Sequence, residues 1–333
     1  MDLSSKNVAV VGGGSWATAI VKILCTNLKQ VIWYMRDQDQ IDHLMSFNHN
    51  PRYLSTVSFD TNCLDVSNDL QYVFDKADVI FIVTPSAFLY EMFSNLKTEG
   101  VKDKILISAV KGMIPEEHDI PSRYFHKIFK IPTRNIAIVS GPCHAEEVAM
   151  EKLSYLTIDC IDLDKAQGIA DMMRCRYIKT SISEDLFGTE IAVILKNIYA
   201  IAAGIYHGLG YGDNFQAVLI SNAIREMKRF VDKVNPIHRD VMESAYLGDL
   251  LVTAYSQFSR NRSFGNMIGK GYSVKSAQME MDMIAEGYYA LKSVHIRNLE
   301  YKIDMPIVEA VYNVVYEKIS PVVEMRILAN KLD

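Results

Sequence analysis

Lys196 is the residue whose surroundings ask most clearly for a chemical explanation. Between Glu190 and Asp213 it is the only fixed charge, with His207 titratable, and its neighbours are Ile191, Val193, Ile194, Leu195, Ile198 and Ile201. A lysine so placed has two fates. Its ammonium reaches the surface along a flexible stem, or it lies in a recess where desolvation readies it to release a proton. The second fate suits reduction of a ketone, because the alkoxide formed at the carbonyl needs a proton. Asn197 beside it either orients a substrate or holds backbone. Asp249, after Leu247-Gly248, is a partner for such a lysine or a helix N-cap.

Three other clusters carry donors. Ser259-Arg260-Asn261-Arg262 gathers a hydroxyl, two guanidiniums and an amide; guanidinium forks match phosphate oxygens, while the plainer reading is a helix cap with solvated charges. Lys111-Gly112 and Ser140-Gly141-Pro142 each follow an apolar run. If those runs are strands of an open α/β sheet, both clusters lie where such sheets bind ligands. His144 with Glu146 and Glu147 matches no strong metal-ligand spacing, and carboxylates are usual in a first helical turn. No metal is expected.

The elements that must position these groups follow from hydrophobic patterning. Val8 to Val11, Val31 to Tyr34, Val79 to Val83, Ile105 to Ile107 and Ile136 to Val139 are short apolar runs, with Ser154 to Ile158 a weaker sixth. Helical patterns separate most of them. The alternation predicts right-handed β-α-β units and a doubly wound, mostly parallel sheet. The first run leads into Gly12-Gly13-Gly14-Ser15-Trp16-Ala17, a G-x-G-x-x-A fingerprint between a strand and a helix. Gly12 makes the tight turn, Gly14 admits a pyrophosphate, and the helix from Ser15 aims its N–H groups at the phosphates. At the end of the next run, Arg36 suits the 2′-phosphate of NADP and Asp37 the ribose of NAD; the balance tips to NADP, with NAD open.

Beyond residue 183 strand signals fade. Ile191, Ile194, Leu195, Ile198, Ile201, Ala202 and Ile205 follow helical spacing, and Phe215 to Val231 and Pro306 to Tyr316 read the same way. The expected architecture is an α/β Rossmann domain over residues 1–182 and an all-α substrate and catalytic domain over 183–333.

Composition narrows the function classes. The 333 residues are 49% hydrophobic and 23% charged, with net charge -5, which argues against a nucleic-acid partner. Five cysteines at wide spacings form no disulfide framework or zinc motif and fit a reducing cytoplasm. The most apolar runs are too short to span a bilayer, so no integral membrane role is expected. A helical second domain is a common dimer surface, and a homodimer is an expectation that no interface signal decides.

Taken in order, the motifs resemble the bacterial-type NAD(P)-dependent glycerol-3-phosphate dehydrogenase family. They are Gly12-Gly13-Gly14-Ser15-Trp16-Ala17-Thr18-Ala19, Asn50-Pro51-Arg52-Tyr53-Leu54, Val83-Thr84-Pro85-Ser86, Val110-Lys111-Gly112, and Ser140-Gly141-Pro142 with Ala145-Glu146-Glu147. Leu195-Lys196-Asn197, Ala200-Ile201-Ala202-Ala203-Gly204, Leu247-Gly248-Asp249-Leu250, Ser259-Arg260-Asn261-Arg262-Ser263-Phe264-Gly265 and Glu286-Gly287-Tyr288 complete the set.

The resemblance implies reduction of dihydroxyacetone phosphate to sn-glycerol 3-phosphate for phospholipid synthesis, in a cleft between the two domains. It implies Lys196 as proton donor or acceptor, with Lys111 and Asp249 lining the substrate site. Ser259, Arg260, Asn261, Gly141 and Cys143 fall at substrate positions. Ser15, Trp16, Arg36, Lys111, Ala145, Arg260, Ile284 and Glu286 fall at cofactor positions. Four residues depart from the family pattern: Ala17 stands for a common glycine, Cys143 for serine or threonine, Tyr246 for glycine and Asn222 for arginine. Two other readings stay open, a dehydrogenase of another hydroxy acid and a nucleotide-binding protein without catalysis.

Overall fold

The computed structural model describes Leu3, residues 5–281 and residues 285–333. It contains one sheet of eight strands among the described residues: β1 (Val8–Val11), β2 (Val31–Tyr34), β3 (Leu64–Ser67), β4 (Val79–Ile82), β5 (Ile105–Ser108), β6 (Ile136–Ser140), β7 (Ser154–Asp159) and β8 (Ile178–Ser183). Their order is β3-β2-β1-β4-β5-β6-β7-β8. Pairing is parallel from β3 through β6, antiparallel between β6 and β7, and parallel again between β7 and β8. The helices around this sheet are α1 (Ser15–Asn27), α2 (Gln38–Phe47), α3 (Leu70–Lys76), α4 (Leu89–Phe93), α5 (Pro121–Phe129), α6 (Ala145–Ala149) and α7 (Leu163–Met173). The doubly wound, mostly parallel α/β expectation holds.

Two strands escaped the hydrophobic pattern, β3 and β8. Both lie at an edge of the sheet, and most of their residues are only partly buried or exposed. Edge strands carry charges and polar side chains that mask the apolar run of a central strand. The central strands β1, β2, β4 and β5 are buried at every position.

The second half is helical: α8 (Leu186–Gly208), α9 (Asp213–Val234), α10 (Asp249–Tyr255), α11 (Arg260–Gly269), α12 (Val274–Met279), α13 (Glu286–Tyr301), α14 (Pro306–Val315) and α15 (Pro321–Ala329). α8 has 23 residues and is apolar enough to cross a membrane by length and composition, but 94% of its most apolar window is buried inside the protein. It is the core helix of this half. Gly204 and Gly208 on α8 face Gly265 and Gly269 on α11. A Cβ at Gly204 would strike the carbonyl of Arg262, and one at Gly265 the carbonyl of Ile201. The two backbones therefore touch, which only glycine allows, and the contact ties the helix of Lys196 to the helix of Arg260 and Asn261.

Contacts divide the chain into two compact units. The first runs to Thr84 and adds Phe88–Val110 and Pro121–Leu186; the second holds Pro85–Ala87, Lys111–Ile120 and the chain from Phe187 onward. This division differs from a single cut after residue 182 chiefly in two short excursions, after β4 and after β5. Each is held by a side chain of the helical unit: Glu286 binds Ser86, and Asn197 binds the carbonyl of Lys111.

Candidate active site

In the first unit the glycine loop joins β1 to α1. Gly12 has φ +138°, a conformation that disfavours side chains, and a Cβ there would lie 2.5 Å from the carbonyl oxygen of Val83. Trp33 Nε1 donates to Gly12 O at 2.7 Å and fixes the turn from below. A Cβ on Gly14 would meet open space within 4 Å, so the backbone before α1 is approachable. Gly14 is the N-cap of α1 and makes no side-chain cap bond. An approachable helix N-terminus after a buried strand fits a pyrophosphate. Ser15 is buried and Trp16 half-buried in the first turn of α1, and Ala17 is fully buried where the helix meets the sheet.

Asn50 is the hub of this loop. Fully buried, it donates to Gly13 O at 3.1 Å and to Thr18 Oγ1 at 2.8 Å, and accepts from Gln40 Nε2 at 2.8 Å. In sequence Asn50 is only an asparagine before proline, which signals a turn and no more. Past β2, Arg36 is exposed. Asp37 N-caps α2 by accepting from Asp39 N at 3.0 Å. Gly141 follows β6 with φ +107°, and a Cβ there would lie 2.8 Å from Tyr155 O. Cys143 is buried within the apolar core of this unit, and Ala145 opens α6.

In the second unit Lys196 does not reach the surface. Its Nζ pairs with Asp249 Oδ1, and both side chains are nearly inaccessible. Asp249 is the first residue of α10, directly after a π-helical turn over Ser244–Gly248. The N-cap position is Gly248, so Asp249 serves the lysine. Tyr246, one of the family departures, is buried inside that turn. The second oxygen, Asp249 Oδ2, is buried without a hydrogen-bond partner.

Contacts starting at Asn197, next to Lys196, link several other candidates of this unit. Asn197 Nδ2 donates to Lys111 O at 2.8 Å, so this asparagine holds backbone. Ser259 is the N-cap of α11, accepting from Arg262 N at 3.3 Å, which bears out the cap reading for that residue. Asn261 Oδ1 accepts from Gly287 N at 2.9 Å. A Cβ on Gly287 would lie 2.7 Å from Asn197 O, so Gly287 locks the start of α13 between α8 and α11. Glu286 accepts from Ser86 Oγ at 2.7 Å and Ser86 N at 3.2 Å. Desolvation raises the pKa of its carboxyl, against the Ser86 bonds and the positive charges of Arg260 and Lys111. In sequence Ser86 is only a serine after proline, which carries no chemical signal by itself. Ile284 lies outside the described residues. Asn222 donates to Val218 O and Asp333 O.

Comparison with known proteins gives the arrangement a family. The model for the NAD-dependent glycerol-3-phosphate dehydrogenase N-terminus matches residues 7–166, and that for the C-terminus matches residues 185–326. A glycerol-3-phosphate dehydrogenase (NAD(P)+) of Exiguobacterium sp. is 36% identical over 98% of this chain and 95% of its own length. The chain belongs to the NAD-dependent glycerol-3-phosphate dehydrogenase family. One of Staphylococcus aureus is 32% identical, covering 94% of each chain. A crystal structure of glycerol-3-phosphate dehydrogenase from Coxiella burnetii superposes with a TM-score of 0.89 at 26% identity, covering 97% of this chain and 98% of that one. The family's two-part organisation thus spans both units, the Rossmann sheet and the helical half.

Proposed function

We propose that the chain is an NAD(P)-dependent sn-glycerol-3-phosphate dehydrogenase that reduces dihydroxyacetone phosphate reversibly to sn-glycerol 3-phosphate, supplying it for phospholipid synthesis. The observation that carries this reading is the buried pair of Lys196 and Asp249 with one carboxylate oxygen left without a partner. A buried acceptor in that state costs free energy unless a ligand satisfies it. A substrate offering a carbonyl to a lysine and a hydroxyl to a carboxylate fits both groups.

When bound, the reduced nicotinamide supplies a hydride to the substrate C2. Lys196 Nζ donates a hydrogen bond to the C2 oxygen and then the proton that oxygen needs. Asp249 Oδ1 holds the lysine, while Oδ2 accepts from a substrate hydroxyl. Lys111 adds positive charge near the developing alkoxide. Arg260 and Ser259 grip the phosphate together with Asn261, whose Oδ1 is already taken by Gly287 N and whose ligand-side donor is Nδ2. Gly141 and Cys143 are proposed for the substrate by their motif positions, the thiol donating more weakly than a hydroxyl would.

Gly12, Gly14, Ser15, Trp16, Arg36, Lys111, Ala145, Arg260, Ile284 and Glu286 are the residues proposed for the cofactor, each by its place in the family's motifs. NADPH is preferred over NADH; the capping role of Asp37 beside an exposed Arg36 supports this. A cytoplasmic setting is supported by five cysteines, none of them in a disulfide. The expected assembly is a homodimer, which light scattering reads as twice the chain mass.

The reaction is tested by mixing purified protein with dihydroxyacetone phosphate and either NADPH or NADH, following the reduced-nicotinamide absorbance. Substrate-dependent oxidation, faster with NADPH, is the expected result. Folded protein that binds nucleotide yet oxidises neither cofactor contradicts the assignment.

A further inference from the structure

Asp37 stands just past β2, where dinucleotide folds ordinarily carry the acid that binds the adenosine ribose. Here both of its oxygens are occupied. Oδ1 accepts the N–H of Asp39 at 3.0 Å, and Oδ2 pairs with Arg52 Nη2 at 2.6 Å. An exposed ion pair contributes little to stability; its consequence is where it leaves the charges.

The turn that delivers Arg52 is fixed to the glycine loop. Asn50 Oδ1 accepts the N–H of Arg52 at 3.1 Å and that of Tyr53 at 3.3 Å. The same side chain donates to Gly13 O at 3.1 Å. The segment carrying Arg52 is therefore braced against the loop that would cradle a pyrophosphate.

We propose that Arg52 is a specificity-determining residue for the cofactor: it ties up the Asp37 carboxylate and adds a second positive charge beside Arg36, selecting a dinucleotide that bears a 2′-phosphate. This rests on the dinucleotide-binding reading above. The side chains of Arg36, Arg52 and Asp37 together carry one net positive charge. Without Arg52 the sum is zero and the carboxylate is released toward a ribose hydroxyl. The same change penalises a 2′-phosphate and favours the unphosphorylated ribose.

The test is calorimetric titration of the full chain with adenosine 2′,5′-bisphosphate and with AMP, which differ only in the 2′-phosphate. Charge-assisted hydrogen bonds make the expected wild-type preference for the bisphosphate about tenfold or more. Arg52→Ala is expected to lose most of that ratio. Arg52→Ala/Asp37→Asn is expected to regain part of it, since asparagine still caps α2 without the released charge. The ratio of kcat/KM for NADPH to that for NADH should move the same way. An Arg52→Ala ratio within about twofold of wild type, an equal weakening of both ligands, or no recovery in the double variant overturns the proposal. Wild-type protein that binds neither nucleotide overturns the dinucleotide reading itself, a separate and distinguishable failure.

Discussion

Ser86 donates its hydroxyl to Glu286 Oε2 at 2.7 Å and its backbone N–H to Oε1 at 3.2 Å. The pair is packed closely enough that a Cβ on Gly112 would collide with both side chains. Three segments distant in sequence thus set the position of one carboxylate at the start of α13.

If Glu286 holds the cofactor, Ser86 is a positioning residue. Ser86→Ala removes one bond to a carboxylate, a loss of roughly 1.5–3 kcal/mol. The expected outcome is a KM for the nicotinamide cofactor raised about tenfold or more with kcat little changed. The Ser86 bonds lower a pKa that desolvation raises, so the substitution should also move the acid limb of cofactor binding to higher pH. Steady-state kinetics and a pH profile of cofactor binding check both. An unchanged KM and profile would show that the contact only braces the fold.

A second carboxylate makes stability depend on pH. Glu226, fully buried on α9, accepts from Ile307 N at 2.8 Å and Val308 N at 3.1 Å in the first turn of α14. Burial pushes its pKa from 4.5 to about 8 despite those donors. The folded chain then keeps a proton that the unfolded chain releases. Its contribution to stability is full below pH 4.5, declines as pH rises toward about 8, and is lost above it. The displacement corresponds to at most roughly 4–5 kcal/mol. Glu226→Gln keeps an acceptor and removes the titration. Thermal unfolding across this range should show Tm falling with pH more steeply in the wild type than in the variant; parallel curves would refute the assignment.

Central strands, long helices and the fingerprint were legible because each has a periodicity or a turn chemistry of its own. Val8–Val11 is continuous because both faces of β1 are covered, and Gly12-Gly13-Gly14 marks a loop that side chains would block. Lys196 was visible as an isolated charge in an apolar helix, but its pairing with Asp249 was one of two open readings. The π-turn before α10 that settles it has no sequence signature. Asn197 and Asn261 are ordinary asparagines in sequence; only the fold reveals that one holds Lys111 and the other Gly287. β3 and β8 were missed because edge strands lack the apolar run. Asn50, Ser86 and Arg52 act through partners distant in sequence or on another element, which spacing does not encode.

The central claim is that Lys196 supplies the proton, and a Lys196→Met variant tests it most directly. Loss of one partner of a buried ion pair destabilises a fold, typically by 3–5 kcal/mol, so circular dichroism and NADPH affinity must accompany the kinetics. With dihydroxyacetone phosphate and NADPH, the predicted result is a kcat reduced about 10²- to 10⁴-fold in folded protein whose NADPH affinity stays within about threefold of wild type. A folded variant that keeps kcat near the wild-type value would contradict it.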